Sequence, residues 1–185
     1  MHVPTFTDLL ARLAPGTVAT HAVDEALLRD AQANGHAHPA IVGRVQAAVR
    51  ALADQGARVV LCTCSTVGGA AEATPTAGTF TAARIDRAMA DRAVELGPRV
   101  LVVAALQSTL APTAALIAES AHRLGRPVQL RQHWVEGAWA HFEAGQREAY
   151  QRTIADAVRA AVGDAGVVVL AQASMAGEAD ALHDL

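Results

Sequence analysis

Three segments of this chain share one pattern, and that pattern restricts the possible folds more than anything else in the sequence. Residues 58–66 read RVVLCTCST, residues 99–109 read RVLVVAALQST, and residues 166–175 read GVVVLAQASM. Each is a β-branched apolar run after a glycine-containing turn, and each closes on small and hydroxyl side chains. Uninterrupted apolar runs of this length suit strands covered on both faces. Ala-rich stretches of helical character lie between them, at 38–55, 86–96, 112–124 and 146–162. Alternating strand and helix predict an α/β fold of βαβ units on parallel sheets. Residues 17–23 and 127–132 are weaker strand candidates.

Local signals set the expected boundaries. Asp86 is positioned to cap a helix through Met89 and Val94 that stops at Gly97-Pro98. Pro112 suits a first helical turn after Thr109. Gly56 and Gly125 are expected to end helices. The division predicted from this is a lobe at 1–97 and a second lobe at 98–185.

Composition narrows the class of function. Hydrophobic residues at 52% against 18% charged favour a folded domain over disorder. Aromatics are only 3%, so the core must be built from Ala, Val and Leu, which suits helices packed closely on a sheet. A net charge of −3 argues against a nucleic-acid partner. All 15 basic side chains are arginine. Without lysine there is no Schiff-base nucleophile and no phosphate-loop lysine, whereas the guanidinium fork still matches a carboxylate. No apolar run reaches transmembrane length, and Met1-His2-Val3-Pro4 does not open a signal peptide. A reducing cytoplasm and no membrane partner are therefore expected. Small α/β lobes with apolar helices often pair by two-fold symmetry, so a homodimer is compatible with the sequence.

In open parallel sheets, ligands gather at the carboxyl ends of the strands. That rule collects Cys64-Ser65-Thr66, Gln107-Ser108-Thr109 and Gln172-Ala173-Ser174. Gly68 and Gly69 would let backbone amides approach a ligand closely. A site rich in hydroxyls and N–H groups prefers a small anion, most simply a carboxylate.

Cys64 stands where a strand should hand over to a helix, whose N-terminus would favour the thiolate. A thiolate there can abstract a carbon-bound proton or attack carbon covalently. The alternative is a small buried residue at a strand end. Cys62, inside the strand, is expected to be core. A Cys-Thr-Cys pair lacks the further ligands of a zinc site, and His36 and His38 read as a solvated loop, so no metal is expected. His133 and His141, beside Trp134 and Trp139, read as packing residues. Ser65 and Ser174 lack the Gly-x-Ser-x-Gly elbow of a serine hydrolase. Arg84 and Asp86 allow two readings: an exposed cap with a neighbouring ion pair, or a clamp in which Arg84 holds a substrate carboxylate.

Together these residues resemble the aspartate/glutamate/hydantoin racemase superfamily. Val59 to Gly69 resembles its first catalytic loop, Arg84-Ile85-Asp86 with Met89-Ala90 the helix of one branch, Ser108-Thr109 with Pro112-Thr113 its carboxylate loop, and Leu170 to Ala176 its second catalytic loop. The resemblance implies two Rossmann-like lobes with an active site in the cleft between them and no cofactor. It also implies two cysteines facing each other across the substrate. Cys64 matches the first. The second position is Gln172, which cannot donate a proton with thiol acidity. The family's first strand would precede His2-Val3-Pro4, and its returning helix would run past Leu185.

The expected function is that of a cofactor-independent racemase or isomerase of a small carboxylate such as an acidic amino acid. Cys64 would be base or nucleophile, Ser65, Thr66, Ser108 and Thr109 would hold the carboxylate, and Gln172 and Ser174 would bond its far side. The alternatives are a one-cysteine decarboxylase, a cis–trans isomerase of a dicarboxylic acid, and a non-catalytic carboxylate-binding protein.

Overall fold

A computed structural model describes residues 2–183 of the chain. The elements run α1 (Val3–Leu13), α2 (Glu25–Asn34), α3 (Pro39–Asp54), β1 (Val59–Cys62), α4 (Gly68–Glu72), β2 (Thr81–Arg84) and α5 (Arg87–Leu96). They continue with β3 (Arg99–Ala104), α6 (Gln107–Leu124), β4 (Gln129–Trp134), α7 (Ala138–Glu143), α8 (Arg147–Ala161) and β5 (Val167–Leu170). Two short 3₁₀ turns, Ala173–Glu178 and Asp180–Leu182, follow. The expected cut in the returning helix, at Leu185, lies outside the described residues.

The strands form two small parallel sheets, one of order β1-β2 and one of order β4-β3-β5. Strand β3 is the centre of the larger sheet, and its period of two sorts its side chains into two cores. Val100, Val102 and Ala104 face α5 and α6, packing with Ala90, Val94, Leu116 and Ile117. Leu101, Val103 and Ala105 face the opposite layer, with Tyr150, Ile154, Val158 and Met175. Residues 100–105 of that apolar run are thus covered on both faces, as its composition predicts.

The smaller sheet departs from that expectation. Val60 packs with Leu27, Ile41, Val45 and Val49 of α2 and α3, but Val59 is 65% and Leu61 47% exposed. A run of four apolar residues reads the same in sequence whether one or two helical layers cover it. Here only one layer does.

Other boundaries also moved. The weak candidate 127–132 is strand β4, paired with β3 from Arg99↔Gln129 to Ala104↔Trp134. Residues 17–23 are irregular and exposed, because no neighbouring strand pairs with them. Strand β2, Thr-Ala-Ala-Arg, carries no β-branched run and becomes a strand only through its parallel register with β1. Pro112 does not open α6. The helix starts at Gln107 and carries the proline in its interior, leaving the Ser108 carbonyl without its helical N–H partner. Gly125, in the left-handed region at φ 64°, ends that helix as expected, with Arg126 N–H donating to the Ala121 carbonyl.

The helix α5 lies N-terminal to the lobe boundary expected at residue 97, yet Ala90, Ala93 and Val94 belong to the core of the larger sheet. At the other end, the His2 ring lies tilted by 33° against Phe142 of α7, with ring centroids 6.0 Å apart.

Candidate active site

Strand β1 ends at Cys62, and the chain passes through Cys64-Ser65-Thr66 before α4 begins at Gly68. Cys64 therefore precedes the helix by a full turn of loop, and α4 itself has only 5 residues. Val67, not Cys64, holds the cap position of α4. Cys64 is half-buried and packs beside the apolar cluster of α2, α3 and β1.

Cys62 is removed from chemistry. Its thiol donates to the Cys64 carbonyl at 3.6 Å, and burial pushes its pKa up from 9.0 to about 11. It stays protonated at neutral pH, which agrees with its expected core position.

Two contacts fasten the Cys64 loop to the larger sheet. Ser65 Oγ donates to the Ala171 carbonyl at 3.1 Å, just past the end of β5. Thr66 Oγ1 lies 3.4 Å from Thr109 Oγ1 in the first turn of α6, and both residues are buried. Three of the expected carboxylate-binding residues are thus brought together across the two sheets. Ser108 sits in the same turn, with its hydroxyl buried and without a hydrogen-bond partner among the described residues. Such an orphaned oxygen costs free energy unless something occupies it.

Gln172 is committed to the backbone. Its Oε1 accepts from the N–H of Ala105 at 2.7 Å and of Leu106 at 2.9 Å. These amides precede α6, whose own N-cap residue, Leu106, offers no side-chain cap. A glutamine from the next strand end therefore supplies the acceptor that the helix start lacks. Two donors on one atom also fix which end of the amide is oxygen, leaving Nε2 as the outward donor. Ser174 goes elsewhere: its hydroxyl lies 2.7 Å from the Tyr150 hydroxyl on α8, not with Ser65 or Thr66.

Arg84 and Asp86 are buried, not exposed. Arg84 Nε donates to Asp86 Oδ1 at 2.6 Å and Nη2 to Oδ2 at 2.9 Å, a bidentate pair. Asp86 makes no side-chain cap for α5, because its carboxylate faces this guanidinium instead. The fork that one of the two readings had clamping a substrate is filled from within the chain. Arg84 Nη2 also reaches the Ser65 carbonyl at 3.4 Å, tying the pair to the Cys64 loop.

Gly68 has a different purpose from the one expected. A Cβ there would sit 3.1 Å from Arg84 Nε and 3.2 Å from Arg84 Cβ. The missing side chain makes room for Arg84, not for a ligand. Sequence reasoning saw both residues but not their contact, since only the packing of α4 against β2 brings them together.

Remaining candidates take structural places. His38 Nδ1 accepts from the Ala40 N–H and caps α3. Trp134 Nε1 donates to the Ala105 carbonyl, and His141 Nδ1 pairs with Gln146 Oε1. Among the described residues no three His, Cys, Asp or Glu side chains converge to hold a metal ion. No described helix is long and apolar enough to cross a membrane.

Comparison with curated proteins and with solved structures gave no significant match. The match to a family is of a different kind, because it covers nearly the whole chain and implies a racemase-type activity on a small substrate. Over residues 4–185 the sequence fits the Asp/Glu/Hydantoin racemase family, and the protein belongs to that family.

Proposed function

We propose that the protein is a cofactor-independent racemase or isomerase of a small carboxylate, with an acidic amino acid as the leading substrate class. Cys64 is its single thiol base or nucleophile. The observation that carries this reading is the joining of the Cys64 loop to the ends of β3 and β5, through Ser65 to Ala171 and Thr66 to Thr109. That joining sets the Cys64 loop against a helix start that carries hydroxyls.

In this mechanism the Cys64 thiolate removes the proton α to the carboxylate. The charge that develops on the carboxylate oxygens is met by the Thr66, Ser108 and Thr109 hydroxyls and nearby backbone N–H groups. The orphaned Ser108 hydroxyl is the group with most to gain from such an oxygen. Gln172 donates through Nε2 while its oxygen stays on the α6 start. It carries no proton to return, so one thiol governs both removal and return, and inversion requires the planar carbanion to turn its opposite face to that thiol before the proton comes back.

The direct test is exchange of the α-hydrogen in deuterated water across aspartate, glutamate and neutral amino acids. Exchange is expected, falling about 10²–10⁴-fold in Cys64→Ala. Cys62→Ala should retain it. Absence of exchange with every acid that binds the protein would remove the reading.

The single thiol also favours a second reading, covalent attack by Cys64 on an unsaturated dicarboxylate followed by rotation and release. One nucleophile is enough for that chemistry. A mass increase on the Cys64 peptide equal to the substrate, trapped during turnover, separates it from proton transfer.

A further inference from the structure

The central strand of the larger sheet is held past its own end. From the β4 side, Val135 N–H donates to the Ala104 carbonyl at 2.9 Å. From the β5 side, Ala171 N–H donates to the Val103 carbonyl at 2.9 Å. Beyond that point side chains take over from the backbone of the flanking strands. Gln172, past β5, accepts from the N–H groups of Ala105 and Leu106 at 2.7 and 2.9 Å. Trp134, the last residue of β4, donates from Nε1 to the Ala105 carbonyl at 3.2 Å.

The Ala105 carbonyl and the Leu106 N–H belong to one trans peptide unit, so they point in opposite directions. That unit is gripped at both ends, its oxygen from the β4 side and its N–H from the β5 side. The grip falls where α6 supports itself least. Leu106 is its N-cap and provides no side-chain cap, and Pro112 leaves the Ser108 carbonyl without a helical donor. The first turn of α6, which carries Ser108 and Thr109, takes its orientation from the peptide that leads into it.

Burial alone does not account for Trp134. Its residue is 40% exposed on an edge strand, in a chain with 2 tryptophans. An indole N–H is a donor only. It cannot compete for the two amides that Gln172 accepts, and the carbonyl between them is the group it suits.

We propose that Trp134 is a positioning residue of the candidate active site. With Gln172 it locks the Ala105–Leu106 peptide, and so sets where the Ser108 and Thr109 hydroxyls stand beside the Cys64 loop. Its part in turnover rests on the reaction proposed above; the lock on the peptide does not.

The test is Trp134→Phe in the full chain, which keeps an aromatic ring and removes the N–H. Amide hydrogen exchange at Leu106 and Thr109 should quicken about 2- to 12-fold, the equivalent of one net hydrogen bond. The amides of Ile154 and Val158, buried on α8, should exchange as in the parent. The substrate is aspartate or glutamate, whichever loses its α-hydrogen faster to deuterated water in the parent. With it, kcat should fall about tenfold and KM should move less than about twofold, because the hydroxyls matter most as charge develops. Trp139→Phe removes the other indole N–H, which donates to Glu143 within α7, and should leave both readouts unchanged. Unchanged exchange at Leu106 and Thr109, equal quickening at Ile154 and Val158, or an unaltered kcat would each overturn the assignment. Amide exchange needs no turnover, so the two readings fail separately. A parent inactive on every acid ends the proposed reaction, while quickening confined to the α6 start still upholds the lock.

Discussion

The two sheets start from nearly the same sequence motif and reach different physical states. In β3, Val102 and Val103 are fully buried, with helices on both faces. In β1, Val60 is buried while Val59 and Leu61 on either side of it lie open. The larger sheet is held by packing. The smaller one, which carries Cys64, is packed on one face only and is tied to its surroundings by polar contacts: the Arg84–Asp86 pair, the Ser65 bond to Ala171 and the Thr66–Thr109 contact. The lesson is that the candidate catalytic loop takes its rigidity from directed bonds, and those are sensitive to single atoms in a way that an apolar core is not.

The comparison can be broken most sharply at Asp86. Asp86→Ala leaves a buried guanidinium unpaired, and the expected loss is about 3–5 kcal/mol by denaturant unfolding. A loss below about 1 kcal/mol would mean that the pair is not what secures the loop. On the packed side, Ile117→Ala removes a fully buried side chain under β3 and should cost about 2–5 kcal/mol. The two variants should differ in kind. Ile117→Ala lowers stability without altering the reactivity of Cys64, whereas Asp86→Ala changes both.

Gly68→Ala comes next. The added methyl must push on an Arg84 that its salt bridge holds in place, and a loss of about 1–3 kcal/mol is expected. Gly69→Ala, with ordinary contact at 3.5 Å, is the control and should stay within about 1 kcal/mol of the parent. The smallest effect belongs to the bare face of β1, where Leu61→Ser should shift stability by about 0.5 kcal/mol or less. A large loss there would show that something covers this face in solution.

The raised Cys62 pKa adds a dependence on pH with a definite sign. Between its ordinary 9.0 and about 11, the unfolded chain releases a proton that the folded chain keeps. Stability should therefore fall as pH rises through that window, and Cys62→Ala should flatten the fall. Denaturant midpoints at closely spaced pH values check this.

Much of the architecture was legible in the sequence. The apolar runs at 59, 99 and 167 are strands, and the Ala-rich stretches at 39, 87 and 147 are helices, because element type follows from side-chain period within a window of a few residues. The different places of the two thiols were legible too, since one cysteine lies inside a strand and the other beyond it. Local pattern does not carry partners. Strand β2 exists through its register with β1, and α6 starts five residues before its proline because a glutamine 66 and 67 residues away accepts the amides at its start. Asp86 could have capped a helix or paired with Arg84, and only the burial of both decided for the pair. The sequence by itself determined what the elements are and which chemical groups are available. Tertiary structure decided which faces are dry and which polar atoms meet, because desolvation depends on everything that packs around a group and not on its neighbours along the chain.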